Sequence, residues 1–289
     1  MSTDKLLEKV KKLREITGVG FKDCKNAIDE NNGDIDKSIE FLRKKGIAKA
    51  NKKMERVAAD GLISISEKDN NFSLIEINSE TDFVAKNNDF IKFVEEISQL
   101  NLSSNGKLED LLKSKMNNKK SVEDSLIDLI SKIGEKITIR RSAFLDSNNL
   151  HNFSYIHSAI KPNIGKLGVL LSLKSNKSKK DLSTFGKQLT MQIAASSPLA
   201  IDKDELDQKL LAKEKEIIIE ELKNSGKDAK ILDKIAIGKL NKFITDNTLL
   251  NQEWIMEPKK KVKDVLKEIS GEDEVLIHQY FRFKVGEGI

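Results

Sequence analysis

The first 46 residues carry apolar side chains at steps of three and four, the spacing that places them on one face of a helix. The spacing predicts a helix over about residues 4–16, a second after the tight turn GVGF at 18–21, and a third after Asn32-Gly33 that stops at Gly46. We therefore predict a three-helix module over residues 1–46, which is only marginally stable on its own. The basic, apolar-poor stretch 47–56 is predicted to be a linker.

From residue 57 the apolar period changes to two, which is typical of strands. A first core unit, 57–145, is predicted to contain a hairpin turning at KDNN, two helices and a further strand, at 57–67, 72–78, 82–100, 121–135 and 136–145. A second core unit is predicted from residues 146–202 together with 247–289. Its strands, its long helix ended by Pro198, its shorter helix and its last strand are expected at 152–159, 167–173, 180–197, 262–270 and 279–285.

Residues 203–246 interrupt the second unit with two amphipathic helices around Ser225-Gly226 and no strand pattern. This predicts a helical, coiled-coil-like hairpin insertion. The fold class predicted for the whole chain is α+β, with antiparallel sheets in a two-part core. The order hairpin, helix, helix, strand occurs in rough outline twice, at 57–145 and at 150–197 with 275–285, which suggests a structural duplication that no sequence repeat accompanies.

Composition restricts the function classes. Of the 289 residues, 34% are charged and 38% hydrophobic, which indicates a globular chain. The net charge of +5 is spread along the sequence, and no run of about eighteen apolar residues occurs, so we expect neither direct nucleic-acid binding nor a membrane span. Cys24 is the only cysteine, which excludes an internal disulfide and favours a reducing, cytoplasmic location.

Known catalytic and cofactor motifs are missing from the sequence. There is no phosphate-binding G-x-x-x-x-G-K-[ST], no H-E-x-x-H and no G-x-G-x-x-G after a strand. His151 and His157 are six residues apart, which is not a helical ligand spacing, and Cys24 lies on an apolar helix face, as a packed thiol would. We therefore predict no catalytic residues, no metal ligands and no cofactor, and hence a protein that is not an enzyme.

The segment NSETDFVAKNN at 78–88 joins a predicted strand to a predicted helix. Two interpretations are open from its residues alone. Thr81 or Asp82 could cap the helix while Phe83 packs as a staple onto the core. Alternatively, the acid and the aromatic ring could serve a function at the surface.

The same segment resembles the TDFVAK signature of bacterial translation elongation factor Ts. Further stretches resemble that family in the same order and extend over nearly the whole chain: LREITGVGFKDCKNAI and NGDIDKSIEFLRKKG, similar to its ubiquitin-associated-like module, then VAADG, KIGEKITIRR, MEPKKKVKDVL and RFKVGEGI. Several ordered matches are far more specific than any one of them.

The resemblance implies a guanine-nucleotide exchange factor that binds elongation factor Tu, with GDP or nucleotide-free, and promotes GDP release during translation elongation. It implies that a segment of four residues intrudes beside the partner's Mg²⁺ site: Thr81, Asp82, Phe83 and Val84. It implies docking of the N-terminal module through Arg14, Phe21 and Lys22, and a second core contact at His157. The hairpin at 203–246 is implied as a surface for a homodimer.

The chain departs from the family pattern at two places. Residues 160–163 are extra beside His157, and the sequence given ends at Ile289, where some relatives continue with a further module. We expect the first difference to alter the contact at His157 and the second to weaken the grip on the partner. An alternative function is a ubiquitin-associated-type adaptor that binds proteins without nucleotide exchange, and nucleic-acid binding ranks below both.

Overall fold

The computed structural model describes residues 3–53, 55–223 and 229–289. The N-terminal helices are α1 (Thr3–Thr17), α2 (Phe21–Glu30) and α3 (Ile35–Lys53). Their shared core contains Val10, Leu13 and Cys24, and burial raises the pKa of the Cys24 thiol, as expected of a packed side chain.

The predicted end of the third helix at Gly46 is wrong. Helix α3 continues to Lys53, so residues 47–53 of the predicted linker are helical, and Ala50 is buried in the core cluster of the following unit. Helix α3 runs through Gly46, where the absence of a side chain matters for packing rather than for helix termination. A Cβ atom at Gly46 would lie 3.2 Å from the Ser131 hydroxyl. The glycine therefore permits close approach of two helices.

The following segment forms a four-stranded antiparallel sheet with helices on one face. Its elements are β1 (Asp60–Lys68), β2 (Asn71–Ser79), α4 (Asp82–Ala85), α5 (Asn88–Ser103), α6 (Leu108–Lys113), α7 (Val122–Ile133) and β3 (Ile137–Leu145). The β1–β2 hairpin turns through Asp69 and Asn70, whose φ angles of 52° and 61° match a type I′ turn. The single helix predicted at 82–100 is two helices, because Asn87 begins α5 by accepting hydrogen bonds from the Asp89 and Phe90 amides at 2.8 and 3.3 Å.

A second sheet has the strand order β4-β6-β9, and the short β5 joins the first sheet beside β1. The elements of this part are β4 (His151–His157), β5 (Ile164–Gly165), β6 (Leu167–Ser175), α8 (Lys179–Ser196), α9 (Gln208–Lys223), α10 (Ala229–Asn247), β7 (Glu253–Trp254), β8 (Glu257–Lys261), α11 (Val262–Ser270) and β9 (Val275–Lys284). The last strand starts four residues before its predicted position. In each sheet the second strand of a hairpin is central and pairs with a later strand, which agrees with the predicted repeat.

The two sheets pack face to face, and helices cover their outer faces. Apolar side chains of β1, β2 and β3 meet those of β6 and β9 in the layer between the sheets. Helices α5 and α7 cover the first sheet, and α8 and α11 cover the second. The fold class is α+β, as predicted.

Helices α9 and α10 form the predicted hairpin and pack mainly against each other. Its turn residues Ser225-Gly226 lie outside the described residues. At its base, the Leu199 amide donates to Asn247 O and the Leu249 amide donates to Ala200 O, both at 2.9 Å. Over the part of the chain that the structure describes, no helix has the length and apolar character needed to cross a membrane.

Candidate partner-binding site

Helix α4 is a single turn that exposes Asp82 and Phe83 on its outer side and is buried on its inner side. Val84 and Ala85 of the same turn are buried in the first core cluster. Phe83 is 77% exposed, the largest exposed fraction among the exposed large hydrophobic side chains of the described residues. The interpretation of Phe83 as a core staple is therefore wrong, and Asp82 and Phe83 together form a surface protrusion.

Thr81 precedes α4 in an extended conformation at the N-cap position, but its side chain does not cap the helix. Its hydroxyl donates instead to both carboxylate oxygens of Glu135, at 2.9 and 3.1 Å, and its amide donates to Glu135 Oε2 at 3.1 Å. The expected side-chain cap is thus replaced by a long-range contact to the loop between α7 and β3.

Glu80 makes the complementary contact to the same loop. The Lys136 amide donates to Glu80 Oε1 at 2.5 Å, and Arg56 Nη1 lies 3.2 Å from Glu80 Oε2. Desolvation acts to raise the pKa of Glu80, but the Lys136 and Arg56 hydrogen bonds outweigh it and hold that pKa below its ordinary value. We call Glu80, Thr81, Glu135 and Lys136 the reciprocal clamp, because each chain segment donates one amide to a carboxylate of the other.

Positive side chains surround the Asp82 carboxylate. Lys86 Nζ donates to Asp82 Oδ2 at 2.7 Å, and this bond is the main cause that lowers the pKa of Asp82; the charge of Lys166 acts in the same direction. Lys166 itself bonds to the Asp60 carboxylate and to Gly61 O, the latter at 3.0 Å. The protrusion therefore presents an ionised acid beside a bare phenyl ring.

Arg14, Phe21 and Lys22 lie at one corner of the N-terminal module, where α1 ends and α2 begins. All three are exposed, Phe21 by 41%. Gly18 closes the corner by donating to Arg14 O at 2.8 Å with a φ of 67°, a conformation that glycine adopts without strain. The structure thus places all three predicted residues on the exposed surface around the α1–α2 connection.

Helix α7 supports both this corner and the neighbourhood of the protrusion. A Cβ atom at Gly18 would lie 3.0 Å from Lys132 Cε, and Lys132 Nζ pairs with Asp89 of α5 at 2.8 Å. Arg43 of α3 bonds to Asp124 of α7 at 2.6 Å. The module is therefore packed against the core through α7, whose C-terminal end leads directly into the clamp.

His157 lies at the end of β4, exposed, with Nδ1 3.0 Å from the Tyr155 hydroxyl. Its carbonyl accepts from the Lys166 amide at 3.2 Å, and the Lys166 side chain reaches Asp60 near the protrusion. Residues 160–163 fold back, with Lys161 Nζ 2.7 Å from Glu95 of α5. His157 and the protrusion are thus connected through one lysine rather than in direct contact.

Sequence reasoning missed the clamp partners Glu80, Glu135 and Lys136 and the pairing of Asp82 with Lys86. Glu135 and Lys136 stand in the stretch KIGEKITIRR, but no spacing rule relates that stretch to Thr81, 54 residues earlier. Within the described ranges, no cluster of three or more His, Cys, Asp or Glu side chains is arranged to hold a metal ion. The surface offers contact chemistry: a ring, an acid and cations held at defined positions.

Comparisons with known proteins show the family of the chain. The family model for elongation factor TS matches residues 80–287, which include the protrusion and the clamp. The chain is 41% identical over 283 residues to elongation factor Ts of Methylorubrum populi and 42% identical to that of Xanthobacter autotrophicus, in both cases with 97% of this chain and 92% of the relative covered. It is 41% identical over 284 residues to elongation factor Ts of Rickettsia felis, covering 97% and 91%. The chain therefore belongs to the elongation factor Ts family of translation elongation factors.

Proposed function

We propose that the chain is a guanine-nucleotide exchange factor that binds elongation factor Tu carrying GDP and promotes GDP release. The observation that carries this proposal is the exposed Phe83 beside the ionised Asp82, on a helical turn whose other side is buried. Aromatic side chains, phenylalanine among them, are enriched in protein–protein interfaces relative to the rest of the surface, so the exposed Phe83 ring is a suitable anchor for a partner.

The physical mechanism needs no covalent step. A GTPase holds its nucleotide largely through phosphate contacts and a bridging Mg²⁺. The Phe83 ring, inserted between elements of the partner, displaces groups that hold the ion, while the Asp82 carboxylate competes for their hydrogen bonds. Because the ion is the largest local charge on the phosphates, its loss weakens GDP binding.

Thermodynamic linkage makes this effect reversible. If binding of the factor weakens GDP binding, then GDP weakens binding of the factor by the same ratio. The complex with nucleotide-free elongation factor Tu is therefore the tightest one, and incoming nucleotide displaces the factor. The factor is regenerated without chemical change.

Two further surfaces supply docking in this proposal. The corner with Arg14, Phe21 and Lys22 binds the partner's GTPase domain, and His157 provides a second core contact. These contacts make insertion of Phe83 an intramolecular step at high effective concentration. The packing of the module on α7, through Arg43 and Asp124, favours a joint surface over an adaptor whose module acts alone.

The test is the release of labelled GDP from elongation factor Tu, with Phe83→Ala and Asp82→Ala compared with the unaltered chain. Loss of a buried aromatic anchor costs about 2 kcal/mol or more at an interface, so we expect Phe83→Ala to slow release by about thirtyfold. Asp82→Ala is expected to slow release as well. Leu276→Ala is the matched control, since Leu276 is an exposed apolar residue on β9.

Equal rates of GDP release for both protrusion variants and the unaltered chain would show that Asp82 and Phe83 are not the residues that displace the partner's Mg²⁺ ligands. Binding of elongation factor Tu without any acceleration of GDP release would favour the adaptor function instead.

A further inference from the structure

We infer that Glu135 is a positioning residue that fixes the direction of the Asp82–Phe83 protrusion before a partner binds. This inference rests on the proposed exchange function. It concerns a residue 54 positions away from Thr81 in sequence, on the loop that follows α7.

Glu135 holds Thr81 by its backbone and by its side chain at once. The Thr81 amide and hydroxyl both donate to the carboxylate, at 2.9 to 3.1 Å. Hydrogen bonds to an ionised acceptor are stronger than neutral ones. Because the amide and the hydroxyl of Thr81 are fixed relative to the same carboxylate, the backbone at the entry to α4 has a defined orientation.

Helix α4 depends on such external support. It has four residues, too few for a helix to persist by its own hydrogen bonds, and its N-cap side chain makes no capping bond. Val84 and Ala85 anchor the inner side of the turn. The direction of the outer side, with Phe83, is left to the residues immediately before it.

The clamp restrains those residues from both sides. Glu80 accepts from the Lys136 amide at 2.5 Å, next to the bond from the Thr81 amide to Glu135. Ser79 Oγ donates to Thr81 O at 3.0 Å and so closes the turn itself. Glu135 is in turn fixed at the end of α7, where Gly134 adopts a φ of 88° and its carbonyl accepts from Lys53 Nζ.

Loss of the clamp is therefore expected to affect insertion rather than docking. Without Glu135 the protrusion samples several directions, and ordering it in the complex costs free energy that the unaltered chain has already supplied on folding. The Glu135 carboxylate accepts its hydrogen bonds from Thr81, which lies outside the docking surfaces at Arg14, Phe21, Lys22 and His157. The maximal rate of GDP release should fall while the half-saturating concentration of elongation factor Tu stays nearly constant.

The experiment measures GDP release as a function of elongation factor Tu concentration for Glu135→Ala, Thr81→Val and Thr81→Ser. We expect Glu135→Ala to lower the maximal rate about tenfold with less than about a twofold change in half-saturation. Thr81→Val, which removes only the hydroxyl bond, should lower it less, and Thr81→Ser should recover most of the loss. Glu109→Ala is the control, since Glu109 is an exposed carboxylate in the first turn of α6.

A second measurement reports on position directly. Hydrogen exchange of the Thr81 amide should accelerate by about tenfold or more in Glu135→Ala, because its acceptor is lost. If Glu135→Ala lowers the folded fraction, Glu135→Gln, which keeps one acceptor oxygen, provides the same comparison in a milder form.

The outcomes separate this inference from the proposed function. If the unaltered chain accelerates GDP release and Phe83→Ala abolishes it, but Glu135→Ala matches the unaltered chain, the positioning role is wrong and the exchange function stands. A raised half-saturating concentration with an unchanged maximal rate also overturns it, since Glu135 would then be a docking contact. If the unaltered chain releases no GDP, the exchange function itself fails.

Discussion

Glu76 is a fully buried carboxylate in the middle of β2, and its replacement by glutamine tests how the core carries charge. Its oxygens accept from Arg141 Nε at 2.5 Å, Arg140 Nη1 at 3.1 Å, Asn78 Nδ2 at 3.0 Å and the Gly286 amide at 2.9 Å. The β2–β3 register shifts beside Glu76, and this bulge allows two consecutive arginines to reach one acid. Glu76 thus joins β2, β3 and the segment after β9.

The magnitude follows from these contacts. Glutamine has one acceptor oxygen and presents an amide donor where a second acceptor is needed. At least one of the Arg140 and Arg141 guanidinium groups therefore loses its hydrogen-bond acceptor, and both lose the opposite charge. Breaking a buried ion pair costs about 3–5 kcal/mol. Because the arginine side chains are 24% and 31% exposed, water compensates part of the loss, and we expect about 3 kcal/mol, near the lower end of that range. The corresponding decrease in unfolding temperature is about 6–12 °C.

Urea and thermal unfolding at neutral pH measure this loss. The control is Glu95→Gln, because Glu95 pairs with Lys161 at the surface, both side chains being more than two-fifths exposed, and such pairs contribute less than about 1 kcal/mol. A Glu76→Gln variant as stable as Glu95→Gln would refute the reasoning.

The pH dependence of unfolding gives an independent check on Glu76. Burial acts to raise its pKa, but the hydrogen bonds from Gly286, Asn78 and Arg141 outweigh burial and hold the pKa below 4.5. A depressed carboxyl pKa stabilises the fold above the ordinary pKa, and this contribution is lost as the pH falls from 4.5 through the lower folded value. The stability difference between the unaltered chain and Glu76→Gln should narrow in that range. A stability difference that does not change with pH would contradict the conclusion that Glu76 is ionised in the folded chain with a lowered pKa.

Two further predictions concern packing and self-association. Gly186→Ala should destabilise the fold by about 1–3 kcal/mol, because the new Cβ would lie 2.5 Å from the Phe153 ring; Gly238→Ala, in open space on α10, should instead stabilise it by about 0.5–1 kcal/mol, and thermal unfolding of the pair checks both signs. We also expect the chain to form a homodimer through the α9–α10 hairpin, where Ile237 is 61% exposed, and Ile237→Glu to remain monomeric in light scattering, whereas a monomeric unaltered chain would contradict this.

Hydrophobic periodicity predicted most of the helices and strands because each lies with one face on a core layer. The prediction failed where the role of a residue depends on a packing contact with a residue distant in sequence. Gly46 was predicted to end a helix, but it instead allows α3 to approach α7. The sequence alone does not distinguish a glycine that ends a helix from one that permits close packing of two helices. The strand β5 and the helix α6 were missed because two and six residues are too few to show a period.

The candidate site divides in the same way. The segment around Phe83 could be singled out from the sequence because its polar residues precede a regular apolar stripe, yet spacing alone did not decide whether the ring was buried. Burial of Val84 and Ala85 in the same turn decides it, since they occupy the inner side. Glu135 could not be predicted at all, because its contact with Thr81 depends on the pairing of β2 with β3, which brings the ends of two distant segments together.

The Asp82–Phe83 protrusion can act on a partner effectively only if its position relative to the docking contacts is constant. Helix α7 provides that constancy: its Lys132 lies against the Gly18 corner, its Asp124 holds α3, and its end places Glu135 under Thr81. In the proposed complex, docking through the corner brings Phe83 to the partner with few remaining degrees of freedom, which raises the effective concentration of the ring at its target. Exposure of the Phe83 ring to water is the cost of this arrangement in the free chain. Under the proposed mechanism, burial of that ring in the complex contributes about 25 cal/mol per Å² of apolar surface, and this free energy favours the nucleotide-free state of the partner.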